Sequence, residues 1–159
     1  MKNLFLFPNK YKKWGWILFL PSLIMAILFQ ILPESMNHLF EINVFAISNT
    51  GLFDYNKYFS FIKNSVADEL TLFGLIIGGI LIGFSKLKIE DEFTNKIRYE
   101  SLVWATYLNY GLILFFTIFL YGFSYLNVLF YNTFTLLLFF IIRFHYSICK
   151  LNKSANDDE

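Results

Sequence analysis

The side chains with the most chemical potential lie between residues 88 and 100, where charge is dense, and near the end of the last apolar run. Glu90, Asp91 and Glu92 form an acidic triplet, and carboxylates are the ligands that divalent cations prefer. Three adjacent residues on a helix point in different directions, so they cannot converge on one ion. The triplet instead fits a solvated helix start, where the positive end of the helix dipole stabilises carboxylates.

Other patterns of catalytic chemistry also point away from an enzyme. The two histidines, His38 and His145, fall on opposite sides of the membrane in the topology that the apolar runs predict. Cys149 is the sole cysteine, so the chain can form neither an internal disulfide nor a cysteine-based metal site. The sequence contains no Gly-x-Ser-x-Gly elbow and no phosphate-binding loop. We expect no catalysis, no metal and no cofactor.

The elements that must position these residues are apolar. Of the 159 residues, 57% are hydrophobic and 16% are charged, whereas about 45–50% apolar residues are usual in soluble domains. Because each span needs roughly 20 residues, four spans with their connections account for the chain. The basic residues form no continuous patch, which argues against nucleic acid as a partner. We therefore predict an all-α integral membrane protein, a four-helix transmembrane bundle in a single domain.

Four runs are long and apolar enough to be spans. They cover about residues 14–32, 65–84, 99–122 and 128–149. Pro21 predicts a bend in the first span, and Ser65 begins a pattern that resembles a capping box at the start of the second. The third span is predicted to belong to one continuous helix of about 30 residues that begins near Asp91. Only residues 124–127 separate the third and fourth spans, which predicts an antiparallel helical hairpin.

Lysine and arginine are distributed unequally between the two sides of these spans. One side carries Lys2, Lys10, Lys12, Lys13, Lys86, Lys88, Lys96, Arg98, Arg143, Lys150 and Lys153. The other side carries only Lys57 and Lys63. By the positive-inside rule, both termini and the loop of residues 85–98 are cytoplasmic. We expect a multi-pass protein of the cell inner membrane, with residues 33–64 forming an external loop.

The external loop carries weak strand signals. Its residues 41–47 alternate in polarity and are rich in β-branched side chains, which predicts a short strand or one half of a hairpin. A turn signal follows at residues 49–51. Residues 55–64 predict a turn of amphipathic helix on the membrane surface. At the C-terminus, residues 152–159 are polar and are predicted to be a disordered tail.

The fourth span carries charge inside the hydrocarbon core. Counting about 1.5 Å per residue along this run, a core of about 30 Å leaves Arg143 and His145 several ångströms inside it. Snorkelling to the headgroups is one explanation. The other is a partner on the third helix, where Glu100 lies at the matching depth. We predict a Glu100–Arg143 contact at the inner face, with His145 close by and Arg98 at the same interface.

Small and polar residues indicate where helices contact one another. In the second run, Gly74 and Gly78 form one pair at small-x-x-x-small spacing, and Gly79 and Gly83 form another about 140° around the helix. Two neighbours can therefore approach this helix closely. Both neighbours are then helices of the same chain. In the alternative, one glycine face joins two protomers in a homodimer. Asn109 in the third span is expected to hydrogen-bond across helices.

Residues 91–110, DEFTNKIRYESLVWATYLNY, resemble a segment of a group of uncharacterised small polytopic bacterial membrane proteins. The shared pattern is carried here by Asp91-Glu92, Arg98, Ser101-Leu102, Trp104-Ala105 and Asn109-Tyr110. The N-terminal FPNKYKKWGW and the fourth-run NTFTLLLFFIIRF look similar too, so the resemblance covers most of the chain. It implies a bacterial membrane protein and supplies no activity.

The expected function is that of a non-catalytic inner-membrane protein acting through a protein or lipid partner at its cytoplasmic face. No ionisable side chain lies in the middle third of any run, which argues against proton-coupled exchange. The alternative is an oligomeric small transporter or channel for a neutral or hydrophobic solute. An enzyme acting on lipid is a third hypothesis, which rests only on Glu100, Arg143 and His145.

Overall fold

A computed structural model gives the fold of residues 6–32, 40–49, 57–88 and 90–157. Its elements, in chain order, are α1 (Lys10–Ile31), β1 (Glu41–Asn49), β2 (Lys57–Ser65), α2 (Ala67–Gly83), α3 (Glu92–Phe119) and α4 (Phe123–Asp157). The chain is therefore mostly helical with one small sheet, as predicted. It forms two compact units. The helical unit comprises the described parts of Met1–Leu20 and Gly74–Glu159, and the hairpin unit those of Pro21–Phe73.

Three helices of the described chain are long and apolar enough to cross a membrane. They are Lys10–Ile31, Glu92–Phe119 and Phe123–Leu151. α1 and α4 begin a few residues before the predicted spans, and α1 continues as a helix through Pro21. α3 begins at Glu92, which confirms the predicted continuous helix from near Asp91. The remaining helix, α2, has 17 residues. It begins at Ala67, directly after β2 ends at Ser65, which is two residues later than the predicted start. The cap at Ser65 stays a prediction.

In the helical unit, α3 and α4 form the predicted antiparallel hairpin. The turn lies earlier than predicted, at residues 120–122, and residues 124–127 are already helical. Gly122 has a φ of 66°, which a residue without a Cβ adopts at little cost. Its carbonyl accepts hydrogen bonds from the amides of Tyr125 and Leu126 at 3.2 and 3.4 Å. The turn is therefore set by Gly122.

The core of the helical unit lies between α3 and α4. Ala105, Phe140 and Phe144 are at most 1% exposed, and the Phe140 and Phe144 rings stack with their centroids 5.9 Å apart. Partly buried apolar side chains surround them, namely Phe84, Leu87, Ile97, Leu102, Phe139 and Ile148. This cluster places the end of α2 and the start of α3 against the C-terminal half of α4.

The C-terminal residues differ from the prediction. Instead of a disordered tail from residue 152, α4 continues through Asp157. Once a helix is nucleated, each further residue adds a hydrogen bond at small cost, so a polar segment without Gly or Pro can prolong it. Residues 158–159 lie outside the described chain.

The hairpin unit contains an antiparallel pair of strands, β1 and β2. Glu41 pairs with Ser65 at one end and Asn49 with Lys57 at the other. The strand predicted at residues 41–47 is confirmed, but the surface helix predicted at residues 55–64 is wrong, because most of it forms β2. Residues 33–39 and 50–56, including most of the predicted turn, lie outside the described chain. The aromatic and β-branched residues of β2 suit a pleated strand once β1 supplies a partner.

Hydrogen bonds join this hairpin to the start of α2. The Val66 amide donates to the Phe40 carbonyl at 3.3 Å, and the Asn64 side-chain amide donates to Glu69 at 3.0 Å. Beside this junction is a cavity of about 160 Å³. It is lined by Pro21, Ser22, Met25, Phe40, Ala67, Leu70 and Thr71.

Candidate functional site

The first turn of α3 is fixed by a side-chain cap. Asp91 has an extended backbone, and its Oδ1 accepts a hydrogen bond from the Thr94 amide at 2.7 Å. Hydrogen bonds from Thr94 to the charged carboxylate hold the pKa of Asp91 below its ordinary value. The acidic triplet is therefore divided. Asp91 caps the helix, Glu92 lies in its first turn, and Glu90 precedes it and can reach back toward α3.

Glu90 and Arg98 form the most buried ion pair among the described residues. Arg98 Nη1 lies 2.6 Å from Glu90 Oε1, and their side chains are 8% and 14% exposed. The second carboxylate oxygen of Glu90 accepts from the Leu87 amide at 2.8 Å. Because that amide belongs to the loop after α2, the carboxylate joins this loop to the guanidinium on α3.

Further contacts surround the Arg98 guanidinium. It donates to Asn95 Oδ1 at 3.0 Å and to the Ser85 carbonyl at 3.3 Å. Its Cζ lies 4.9 Å from the centre of the Phe144 ring, within range of a cation–π contact. We call Glu90, Arg98, Asn95 and the Ser85 carbonyl the Arg98 cluster. Its hydrogen bonds to Nη1 and Nη2 compensate in part for the burial of two charges, while Arg98 Nε is buried without a partner in the described part of the chain.

The segment before α1 is tied to the loop that carries the Arg98 cluster. The Phe7 amide donates to the Phe84 carbonyl at 2.9 Å, and the Lys86 amide donates to the Phe7 carbonyl at 2.8 Å. The Asn9 side chain adds a hydrogen bond to the Lys86 carbonyl at 2.7 Å. We call residues 7–9 the N-terminal strap. The strap and the Arg98 cluster therefore hold the same loop from two directions.

His145 lies among aromatic rings of the helical unit. Its ring centroid is 5.7 Å from that of Trp16 and 5.5 Å from that of Phe144, edge to face in both cases. Its Nδ1 is 3.0 Å from the Ile141 carbonyl. Its Nε2 is buried and has no hydrogen-bond partner within the described part of the chain. The histidine is packed as a partly buried helix residue.

The inner-face cluster predicted from Glu100, Arg143, His145 and Arg98 does not assemble. Arg143 lies over the Trp104 ring, with Cζ 4.7 Å from its centre. Glu100 is exposed and faces Lys96 at 4.0 Å. The predicted Glu100–Arg143 contact is therefore wrong, because Glu100 lies on the outward side of α3. The hypothesis of an enzyme acting on lipid loses the grouping on which it rested.

Sequence reasoning missed Glu90, Asn95, Trp104 and the strap. One signal in α3 identifies its inward face. The buried residues of α3 recur every three or four positions, as expected of a single helix face, and they are Thr94, Arg98, Ser101, Ala105 and Asn109. That spacing places Arg98 inward. Glu90 precedes α3, so helical spacing does not predict its contact with Arg98, although the two are only eight residues apart. The strap has no local signal, since its partners lie more than seventy positions away.

The glycines of α2 contact helices of the same chain on two faces. A Cβ at Gly78 would lie 2.8 Å from the Phe19 backbone nitrogen and 3.0 Å from the Gly15 carbonyl oxygen, so α1 crosses here in backbone contact. A Cβ at Gly83 would lie 2.5 Å from the Phe140 ring. Gly79 is adjacent to Leu137, also on α4, and Gly74 is half-buried. The prediction of two close neighbours is confirmed, and the homodimer alternative stays a prediction.

Asn109 makes the predicted hydrogen bond across helices. Its partner is Asn132 on α4, and the two amides bond reciprocally at 2.9 and 3.4 Å. Asn109 is 3% exposed. The pair joins the apolar middle of α3 to that of α4.

No group of three or more His, Cys, Asp or Glu within the described ranges is arranged to hold a metal ion. Neither a protein-family model, nor a curated protein, nor a solved structure matches the chain.

Proposed function

We propose that the chain is an integral protein of a bacterial inner membrane that crosses the bilayer four times, as a four-helix bundle with both termini in the cytoplasm. It acts without catalysis, through a partner bound at its cytoplasmic face. Three helices of sufficient length and apolarity support the membrane assignment. The 17 residues of α2 cover about 26 Å at roughly 1.5 Å per residue, close to the thickness of a hydrocarbon core.

Exposed apolar side chains along the helices support insertion. Leu114 and Ile118 on α3 are 66% and 63% exposed, and Ile142 on α4 is 60% exposed. Surfaces of this kind are unfavourable in water when they form large patches. In a bilayer they face acyl chains instead.

The observation that carries the proposed partner binding is the use of ionisable groups at the inner end of the helical unit. Arg98 and Glu90 fix the loop after α2, and the N-terminal strap fixes it from the other side. The Arg98 and Glu90 side chains thus hold the backbone of this loop in place, and they do not face an open cleft. The result is a surface whose backbone is set before a partner arrives, which lowers the entropy lost on binding.

The elements at this end of the helical unit carry seven exposed lysines, interspersed with the exposed carboxylates of Asp91, Glu92 and Glu100. We call these lysines the basic face, and they are Lys10, Lys13, Lys86, Lys88, Lys96, Lys150 and Lys153. A partner that presents anionic groups, whether an acidic protein segment or anionic lipid headgroups, complements it electrostatically. The positive charge thus sets the orientation in the membrane and attracts the partner.

Purification in mild detergent tests the proposal. We expect the wild-type chain to copurify with one specific protein, identified by mass spectrometry, or with enriched anionic lipid. Replacing Lys86, Lys88 and Lys96 by Gln should remove that association, whereas Lys63→Gln, on the external loop, should leave it unchanged. An association that survives in the triple variant would contradict the proposed role of the basic face.

Cysteine labelling tests the topology. In a Cys149→Ser background, Lys153→Cys should be inaccessible to an impermeant maleimide in intact cells and accessible in inverted vesicles. Ser48→Cys, on the exposed hairpin, should show the opposite pattern. Labelling of both positions from the same side would contradict four crossings with this orientation.

The hairpin unit favours a second candidate function, an oligomeric transporter or channel for a neutral or hydrophobic solute. Its cavity of about 160 Å³ is mostly apolar, with Ser22 and Thr71 as the polar lining residues. Its volume is below the roughly 300–1,000 Å³ that is usual for ligand pockets, so this candidate requires a solute of only a few heavy atoms. Solute flux into proteoliposomes that falls in a Thr71→Phe variant would favour this candidate over partner binding.

A further inference from the structure

The β-hairpin exposes a cluster of aromatic rings on one of its two faces. Phe45 lies at the centre, with its ring centroid 6.3 Å from that of Phe59 and 5.5 Å from that of Phe61. The three residues are 56%, 71% and 76% exposed, and Ile47 beside them is 66% exposed. We call these four residues the aromatic face. Single exposed apolar residues are ordinary, but a contiguous group of them marks an interaction surface.

The opposite face of the hairpin is different. Successive side chains of a strand point to opposite faces, so Val44 and Ala46 on β1 lie opposite the aromatic rings, and both are half-buried. Ser60 and Ile62, which pair with them on β2, are half-buried as well. The centre of this side is therefore half-buried, although Ile42 and Tyr58 toward its two ends are 51% and 63% exposed. The aromatic face, in contrast, is exposed at its centre.

The backbone is strained at one member of the aromatic face. Phe59 has a φ of 52°, a left-handed conformation that bulky side chains rarely adopt. The register of the described strands pairs Ala46 with Ser60 and Ser48 with Tyr58, and it has no pair between Ile47 and Phe59. This distortion accompanies a ring that stays beside Phe45. Strain of this kind often accompanies a functional surface.

We propose that the aromatic face lies against the outer surface of the bilayer, with its rings at the boundary between lipid headgroups and acyl chains. The inference rests on the proposed function, since it requires the helices to be inserted. Phenylalanine and isoleucine are suited to this boundary because their apolar bodies partition into it. The occupant of the aromatic face is thus the membrane in which the chain itself is anchored.

Lipid-facing surface continues next to the hairpin within the same unit. Ile31 at the end of α1 is 66% exposed, and Leu70 and Phe73 in α2 are 58% and 63% exposed. The hairpin joins α2 directly through Val66, whose amide bonds to Phe40. The hairpin therefore lies next to exposed apolar side chains at the end of α1 and the start of α2. In an inserted chain, these side chains lie close to the boundary between headgroups and acyl chains.

The charges on this face are compatible with a lipid surface. Glu41 and Lys63 lie on the same side of the hairpin as the rings, at the end nearer α2, and their side chains pair at 2.9 Å. The pair carries no net charge, so it can lie among zwitterionic headgroups without repulsion. The centre of the aromatic face carries no charged residue.

The area of the face argues against a second copy of the chain as its occupant. At about 200 Å² for a whole aromatic side chain, the three exposed rings present on the order of 400 Å². A stable protein interface buries about 800 Å² on each partner. A small patch is sufficient for the bilayer, however, because the helices already hold the hairpin at its surface and no translational freedom is lost.

Spin labels on single cysteines test the inference in the full chain, in a Cys149→Ser background and in phosphatidylcholine vesicles. Phe45→Cys and Phe61→Cys place the label on the aromatic face, on separate strands. Ser48→Cys is the matched control, since it is exposed on β1 with its side chain on the opposite face. Leu114→Cys, on an exposed position of α3, reports whether the helices are inserted.

Collision of each label with oxygen and with a water-soluble nickel chelate gives its depth. We expect labels at positions 45 and 61 to be at least about threefold less accessible to the nickel chelate than the label at position 48. The label at position 114 should be the least accessible. Equal nickel accessibility at Phe45, Phe61 and Ser48, with Leu114 in lipid, would overturn the inference and leave the proposed insertion intact. Nickel access at Leu114 would overturn both. Dipolar broadening at Phe61 that disappears on dilution with unlabelled chain would assign the face to a second copy instead.

Discussion

Arg98 and Glu90 form a buried ion pair across eight residues, with Nη1 and Oε1 2.6 Å apart. The pair connects the first turns of α3 to the loop that follows α2, and the N-terminal strap is bonded to the same loop. Its geometry explains how a charged side chain can be buried in the helical unit, where Arg98 is 7% exposed. It also makes the loop sensitive to the loss of either charge.

Removing one partner of this pair should destabilise the fold strongly. Arg98→Met leaves the Glu90 carboxylate buried without its cation, and Glu90→Gln leaves the guanidinium without its anion. We expect each single variant to lower the free energy of unfolding by about 3–5 kcal/mol. Thermal unfolding in detergent measures the loss, and the double variant should lose much less than the sum of the two.

The matched control is the exposed pair of Lys96 and Glu100, whose side chains are 69% and 55% exposed. A surface pair at i and i+4 contributes about 0.5 kcal/mol or less. Lys96→Gln should therefore leave the unfolding midpoint nearly unchanged. An effect at Lys96 equal to that at Arg98 would show that charge near this end, rather than the buried pair, stabilises the fold.

The neighbouring glycines Gly78 and Gly79 should respond in opposite ways to alanine. At Gly78 a new Cβ meets the backbone of Phe19 at 2.8 Å, and a backbone atom cannot move aside without shifting α1. We expect Gly78→Ala to cost about 1–3 kcal/mol. At Gly79 the nearest atoms are side-chain carbons 3.4–3.5 Å away, which is ordinary contact. Gly79→Ala should be neutral or stabilising, because alanine favours helix by about 1 kcal/mol over glycine.

Unfolding by a denaturing detergent, with the two variants side by side, checks this difference. Equal losses at Gly78 and Gly79 would mean that α1 does not cross α2 in backbone contact. A larger loss at Gly79 would place the closest neighbour of α2 on the face toward α4.

The reciprocal amide bonds of Asn109 and Asn132 predict a coupling between α3 and α4. Asn109→Leu leaves a polar amide on α4 without its partner, and we expect a loss of about 0.5–2 kcal/mol. Replacing both by Leu should restore much of that loss, since no unpaired amide remains. A double-mutant cycle on the free energy of unfolding measures the coupling, and simple additivity would contradict the pair.

How far the sequence predicts this fold is clearest at α3. Its start near Asp91, its continuity and the bond from Asn109 follow from local pattern. The choice between Arg98 and Glu100 as the inward residue does not follow from depth alone, because two residues are about 200° apart around a helix. Arg98 faces inward and Glu100 outward, as the spacing of the small buried residues indicates.

Contacts that no periodic pattern predicts account for the remaining differences. The aromatic segment of β2 suits either a surface helix or a strand, and pairing with β1 decides between them. Glu90 lies only eight residues before Arg98, but it precedes α3, so helical spacing does not predict their contact. The strap at Phe7 pairs with residues more than seventy positions away.

The cap at Asp91 predicts a pH dependence of stability in acid. The folded pKa of Asp91 is below its unfolded value because Thr94 hydrogen-bonds the charged carboxylate. The contribution of the Asp91 carboxylate to stability is therefore complete above the unfolded pKa of about 3.9 and is lost as the pH falls through the lower folded pKa.

Asp91→Asn keeps a good cap without the titration. The stability difference between wild type and Asp91→Asn should change between pH 7 and pH 3, as measured by thermal unfolding. A difference independent of pH would contradict the prediction.

The contact between Arg143 and Trp104 predicts which substitutions on α3 and α4 are coupled. Arg143 Cζ lies 4.7 Å from the centre of the indole ring, whereas Glu100 lies beside Lys96. We expect Trp104→Leu to lower the free energy of unfolding by about 0.5–2 kcal/mol through loss of the cation–π contact. In a chain that already carries Arg143→Gln, this contribution should be absent. Glu100→Gln and Arg143→Gln should simply add, because sites without a shared contact act independently. Double-mutant cycles on thermal unfolding compare the two pairs directly. Coupling of Arg143 to Glu100 instead of Trp104 would mean that the arginine pairs with the carboxylate, as predicted from the sequence.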